Sequence, residues 1–205
     1  MRMRHHVNPL TAGLNSYDGR RLKLELGVPV ELEVGCADAQ FLFERARADG
    51  RRRYVGVEVR SYLVDEVNAQ AEAEGLPITA VFCNANHHLL ELLPARSIDR
   101  IYLNFPDPWF KKKHRKRRMI NPALARDLAE LAKPGADVFI QSDVWGVALD
   151  AMDAFERSDD LFTNRAGAWT FWRDGNPYGA RSWREQHCEQ HDLPIWRIRY
   201  DRGRT

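Results

Sequence analysis

The sequence predicts an α/β protein with a doubly wound, mostly parallel sheet and an antiparallel edge hairpin. Three observations predict it. From Val28 onward, short apolar runs alternate with longer amphipathic stretches. The runs are rich in β-branched and aromatic residues and are bounded by turn formers. No repeat or low-complexity linker interrupts the alternation, and 205 residues suffice for one substantial core. The organisation expected is a basic arm over residues 1–27 and a single domain over 28–205.

The predicted strands are Val28–Val34, Tyr54–Val59, Ile78–Cys83, Ile98–Phe105 and Asp137–Gln141. Between them fall helices at Gln40–Ala48, Tyr62–Glu74, Asn86–Leu92 and Pro122–Ala132, the last stopped by Lys133-Pro134-Gly135. Asp143–Arg157 reads as a further helix. Trp169–Trp172 and Ile195–Tyr200 read as antiparallel edge strands, separated by a loop with Gly175, Pro177 and Gly179. The pattern is Rossmann-like.

Composition narrows the class. No apolar run approaches the roughly 20 residues of a membrane helix, and the basic start Met1-Arg2-Met3-Arg4-His5-His6 has no apolar signal core after it, so a cytoplasmic protein is expected. Cys36, Cys83 and Cys188 are too scattered for a disulfide framework or a zinc knuckle. His87-His88 lacks further ligands at metal-binding spacing, so no metal is expected.

The net charge of +2 conceals a local field. Lys111-Lys112-Lys113-His114-Arg115-Lys116-Arg117-Arg118 holds seven of the 31 basic residues, leaving 24 against 29 acidic ones elsewhere. A cationic patch on an acidic body suits contact with a phosphate backbone, where counterion release favours binding. A solvated basic loop or helix face is the competing reading of a charge run alone.

Ligands of open α/β sheets bind beyond the carboxyl ends of the strands. There the first strand ends in Glu31-Leu32-Glu33-Val34-Gly35-Cys36-Ala37-Asp38-Ala39, a small-residue turn that lets a ligand approach the backbone. Ala37 and Ala39 stand where further glycines of a dinucleotide fingerprint are expected, so an ordinary strand–helix turn competes. Gly56-Val57-Glu58 places a carboxylate where ribose hydroxyls are commonly bound, which would serve a nicotinamide cofactor equally. Cys83-Asn84-Ala85 offers an amide for an adenine edge, or a helix cap. The fourth strand ends in Asn104-Phe105-Pro106-Asp107-Pro108-Trp109, with prolines fixing the backbone on both sides of Asp107. A fixed acid beside Trp109 and seven cations fits a site where a base stacks and its phosphates are gripped.

These residues carry a resemblance. Asn104 through Arg118 resembles the Phe-Pro-Asp-Pro-Trp, Lys-rich hallmark of the tRNA (guanine-N7)-methyltransferases. The opening Arg2-Met3-Arg4-His5-His6-Val7-Asn8-Pro9 is similar to that family's basic arm, Leu32-Glu33-Val34-Gly35 and Gly56-Val57-Glu58-Val59 match its first two strand ends, and Ser142-Asp143-Val144-Trp145 resembles its Thr-Asp-Trp segment. Ser182-Trp183-Arg184-Glu185, with Trp196 eleven residues after Glu185, keeps its Thr-x-x-Glu spacing. The resemblance covers nearly the whole chain and implies a class I methyltransferase fold, S-adenosyl-L-methionine as cofactor and tRNA as partner, with the protein a monomer or homodimer. It implies that Glu33, Gly35, Glu58, Asn84 and Asp107 bind the cofactor, that Asp107 is catalytic, and that Lys111, Asp143, Ser182 and Glu185 face the guanine. Fewer glycines after the first strand, Asn84 in place of an aspartate and Arg184 in place of an apolar or aromatic residue depart from the family pattern.

Guanine N7 carries a free lone pair and no proton, so its methylation needs alignment and no general base. Fixed carboxylates such as Asp107 and Asp143 suit a purine that becomes cationic and presents N1 and N2 donors. The missing glycines leave one alternative, an RNA-binding methyltransferase-fold protein whose cofactor site is weakened or lost. A nicotinamide-dependent dehydrogenase is supported only by the sheet pattern and Glu58.

Overall fold

The computed structural model describes residues 21–158 and 160–203. One seven-stranded sheet organises them. The strands are β1 (Val30–Val34), β2 (Arg53–Glu58), β3 (Ile78–Phe82), β4 (Ile98–Asn104), β5 (Ala132–Ser142), β6 (Phe162–Asn164) and β7 (Trp196–Arg202). Their order is β3-β2-β1-β4-β5-β7-β6. The first five are parallel, while β7 runs antiparallel to both β5 and β6. The helices are α1 (Gln40–Ala48), α2 (Ser61–Glu74), α3 (Ala85–Leu92), α4 (Pro122–Leu131), α5 (Trp145–Glu156) and α6 (Trp183–Gln190), with a 3-10 helix over Lys112–Arg117.

Alternation along the strands builds two cores. Val30, Leu32 and Val34 of β1, Ile101 and Leu103 of β4, and Val138 and Ile140 of β5 pack with α3, α4 and α5. On the other face, Tyr54, Tyr102 and Phe139 pack with Phe41, Leu42 and Phe43 of α1 and Val64, Val67 and Ala71 of α2. β1 thus presents Glu31 and Glu33 to this second face. Glu31 is fully buried there and accepts two hydrogen bonds from Arg45 (2.9 and 3.1 Å), one from Arg100 (3.0 Å) and one from the Tyr102 hydroxyl (2.8 Å). Such complete pairing is what permits a buried charge. Tyr178, from the loop before α6, inserts into the same core edge-on to Tyr102 and Phe139, its hydroxyl 2.7 Å from Asp137.

The structure departs from the predicted elements in three places. Trp169–Trp172 is not an edge strand; only Trp172 bridges Arg197, and the partner of β7 is the three-residue β6. Lys133-Pro134-Gly135 does not lie between elements but inside β5, where a register irregularity between Ile98 and Arg100 bulges the strand and Gly135 takes φ +79°. α6 was not anticipated. Of the predicted basic arm, residues 1–20 lie outside the described residues; Arg21 and Leu22 follow α3, the Leu22 amide donating to the Leu92 carbonyl at 2.8 Å.

Candidate functional site

The strand order reverses between β1 and β4, and a cavity of about 560 Å³ opens at the carboxyl ends of β1 to β4. Among the predicted residues, Glu33, Gly35, Glu58, Asn84, Asp107 and Ser182 line it. Lys111, Asp143 and Glu185 are not among its lining residues.

The floor is the turn after β1. Gly35, Ala37 and Ala39 all take left-handed backbone, with φ of +78°, +52° and +53°. Two alanines therefore hold the geometry where glycines were expected. The turn lies tight on β2 because Gly56 has no side chain: a Cβ there would stand 2.6 Å from Cys36 Sγ and 3.3 Å from Leu42 Cδ1.

Two carboxylates flank this floor. Glu33 is buried; Asn104 Nδ2 donates to its Oε1 at 2.7 Å, and its Oε2 has no hydrogen-bond partner among the described residues. Burial pushes the Glu33 carboxyl up to about 8, opposed by the Asn104 hydrogen bond and assisted by the charges of Asp38 and Glu58. Glu58 Oε2 accepts from the Ala37 amide (3.0 Å) and Arg60 Nη2 (3.0 Å), and its Oε1 accepts from the Val59 amide (2.9 Å), the Arg60 amide (3.1 Å) and Arg60 Nε (2.8 Å). Arg60, which also lines the cavity, thus occupies both oxygens of Glu58. Asn84 caps α3, accepting from the Asn86 amide at 3.2 Å. The capping role and the cavity-lining role coexist.

The loop carrying Asp107 forms the rim. Phe105 and Trp109, at its two ends, have φ of +48° and +42°, so backbone strain as well as proline fixes the aspartate. Arg118 Nε donates to the Pro108 carbonyl at 2.8 Å and Nη1 to the Gly146 carbonyl at 2.8 Å, tying loop to α5. Both Arg115 and Arg118 pair with Asp150. Arg117 turns back into the cavity, its guanidinium 5.1 Å from the Trp109 ring centroid. Lys111 is exposed at the start of the 3-10 helix.

Ser182, also at the cavity, caps α6 by accepting from the Glu185 amide at 3.2 Å. Glu185 is fully buried and points away, accepting from Gln141 Nε2 (2.9 Å), Asn176 Nδ2 (2.9 Å) and Arg197 Nη2 (2.9 Å). Gln141 Nε2 also donates to Asn104 Oδ1 at 3.0 Å, so one hydrogen-bonded chain runs from Glu33 through Asn104 and Gln141 to Glu185. Asp143 is half-buried and ion-paired with Arg184, and both contacts go to its Oδ2.

Sequence reasoning did not assign Asn104, Arg60 or Arg117 to the cavity. Asn104 had a signal, since it ends β4 immediately before the proline-clamped loop. Among the described residues no group of three or more His, Cys, Asp or Glu side chains gathers as a metal site, and no helix is long and apolar enough to cross a membrane.

This sheet order, with a ligand-sized cavity at its switch point, defines the class I S-adenosylmethionine-dependent methyltransferase fold. Solved structures agree: the 16S rRNA methyltransferase KamB aligns with a TM-score of 0.60 at 13% identity over 92% of this chain and 89% of that one. An S-adenosylmethionine-dependent O-methyltransferase from Thermotoga maritima aligns at 0.54 and 13% identity, over 85% and 59%. The family model described as "Putative methyltransferase" matches residues 28–198. A tRNA (guanine-N(7)-)-methyltransferase of Synechococcus sp. (strain JA-3-3Ab) is 37% identical over 98% of this chain and 86% of its own. One from Trichormus variabilis is 32% identical over 98% and 96%. The chain belongs to the tRNA (guanine-N7)-methyltransferase family.

Proposed function

We propose that this protein transfers a methyl group from S-adenosylmethionine to N7 of a guanine in tRNA. The observation that carries the reading is that one cavity gathers the Asp107 loop with Glu33 and Glu58. The residues fit the cofactor. Its volume of about 560 Å³ suits a ligand of that size, and the unpartnered Oε2 of Glu33 offers an acceptor to an ammonium group. The left-handed turn weighs against a decayed site, because its backbone geometry survives the loss of glycines.

When bound, the cofactor supplies an electrophilic methyl group on a sulfonium. Glu58 would hold the ribose once Arg60 yields, Gly35 would let the ligand lie on the backbone, and Asn84 would meet the adenine. Asp107 would lie beside the acceptor purine and stabilise its growing positive charge; Ser182 would meet its polar edge, and Asp143 would join it only once released by Arg184. Glu185 acts from behind, by holding α6 through Gln141 and Arg197. Holding reactants aligned contributes several kcal/mol, up to about 7–11 in ideal cases. Lys111 and its neighbours would grip phosphates, and the basic arm over 1–27 would extend that contact from the domain over 28–205. A cytoplasmic monomer or homodimer is the accompanying reading.

The test is nucleoside mass mapping after incubation with tRNA and isotopically labelled cofactor, for the parent and Asp107→Ala. Labelled 7-methylguanosine from the parent and none from a folded variant is expected. Undiminished product from Asp107→Ala removes its role, and no labelled guanosine from the parent removes the function.

A further inference from the structure

Beside the cavity, three aromatic side chains close a triangle at the carboxyl end of β5. Trp145 opens α5, Trp196 opens β7 opposite Ser142, and Phe171 comes from the loop after β6. Ring centroids are 4.4 Å apart for Trp145–Trp196, 5.2 Å for Trp145–Phe171 and 5.4 Å for Phe171–Trp196. The triangle is not fully covered. Trp145 is 48% exposed, and Leu149, one turn further along α5, is exposed too. A contiguous apolar surface of this kind marks an interaction site more often than scattered single residues do.

The helix that carries Trp145 is tied to the basic 3-10 helix. Gly146, next to Trp145, accepts from Arg118, and Asp150 on the same helix pairs with Arg115 and Arg118, so the 3-10 helix is strapped to α5. Asp150 is occupied by those two arginines, whereas the exposed Lys111, Lys113 and Lys116 form no ion pair among the described residues. Asp143 stands two residues before Trp145. An exposed aromatic face on the helix to which the lysine-bearing 3-10 helix is strapped suits a single-stranded nucleic acid, whose bases stack while its phosphates meet cations. Removing one base from a stack also leaves its neighbours with exposed faces.

We propose that Trp145, backed by Trp196 and Phe171, stacks an unpaired base of the RNA adjoining the methylated guanine. The inference rests on RNA being the substrate. It assigns affinity to a non-ionic contact distinct from the lysine strip.

The experiment compares tRNA binding by the parent, Trp145→Ala and Trp145→Phe across a salt titration, with cofactor titration and sedimentation velocity on each. For Trp145→Ala, affinity is expected to fall about 5- to 150-fold, the span of losing one base–aromatic stack. The slope of log affinity against log salt stays at the parent value, cofactor binding is unchanged, and Trp145→Phe recovers most of the loss. Lys113→Glu with Lys116→Glu reduces the slope instead. Parent-like tRNA binding by Trp145→Ala, in a protein that still methylates tRNA, overturns the stacking surface alone. So does a parent dimer that Trp145→Ala dissociates, which assigns the face to a second copy. A parent that neither binds nor methylates RNA overturns the function and the surface together.

Discussion

Asn104 Nδ2 holds Oε1 of Glu33 at 2.7 Å while the other oxygen of the same buried carboxylate has no hydrogen-bond partner among the described residues. One amide thus satisfies half of an acid whose protonation is raised to about 8 by burial.

That burial predicts two opposite pH trends. Between pH 4.5 and 8 the folded protein keeps a proton on Glu33 that the unfolded chain has released, so this group's contribution to stability falls as pH rises through the window and levels off above 8. A cationic ligand beside Glu33 favours the ionised form, so cofactor affinity should rise over the same range and binding should release a proton. Glu33→Gln should flatten both trends. Calorimetry in buffers of different ionisation enthalpy, with denaturant melts across pH, measures them; a parent cofactor affinity that does not vary from pH 6 to 9 excludes the contact.

Gly56→Ala should destabilise the fold by about 1–3 kcal/mol, the usual cost of overpacking, because its Cβ would meet Cys36 Sγ at 2.6 Å. Relief of that contact by Cys36→Ala should recover part of the loss. Urea unfolding of the two single variants and the double variant reads the coupling directly.

Ala37→Gly and Ala39→Gly should differ despite nearly equal φ. Left-handed geometry costs an alanine about 1–2 kcal/mol, and the extra freedom of unfolded glycine returns about 0.5–1 of it. Half-buried Ala37 should therefore gain about 0.5–1 kcal/mol on substitution. Ala39 is fully buried and also loses a packed methyl worth about 0.8 kcal/mol, so its change should be near neutral. Equal shifts in thermal melts count against strain as the cause.

Tyr178→Phe should cost about 1.5–3 kcal/mol, since its hydroxyl donates to Asp137, a carboxylate that Arg199 also holds. Tyr178→Ala should cost about 3–5 kcal/mol. Because the residue pins the loop leading into Ser182 and α6, the milder variant should raise KM for RNA more than it lowers cofactor affinity. Steady-state kinetics with separate cofactor titration checks this.

The parallel strands were legible because their apolar runs are bounded by turn formers, and the cavity was legible because Glu33 and Glu58 lie at strand ends and Asp107 in the loop just after one. Pairings across long chain separations were not. Glu185 has the spacing of a site residue, yet its burial depends on Gln141, Asn176 and Arg197, which no local pattern connects. α6 lacks an apolar stripe, and its one signal was half of a capping box, Ser182 three residues before Glu185. β6 is too short to leave a pattern. The aromatic richness of Trp169–Trp172 suggested a strand, but Phe171 contributes its ring to the Trp145 cluster instead.

The buried chain from Glu33 to Glu185 crosses β1, β4 and β5 before reaching α6, like a rafter joining opposite walls. A ligand that pairs with Glu33 and one that bears on α6 share this chain, so any change each makes in the other's affinity is expected to be equal in both directions, which titrating each with and without the other measures. Replacing Gln141 would leave both berths present but indifferent to one another.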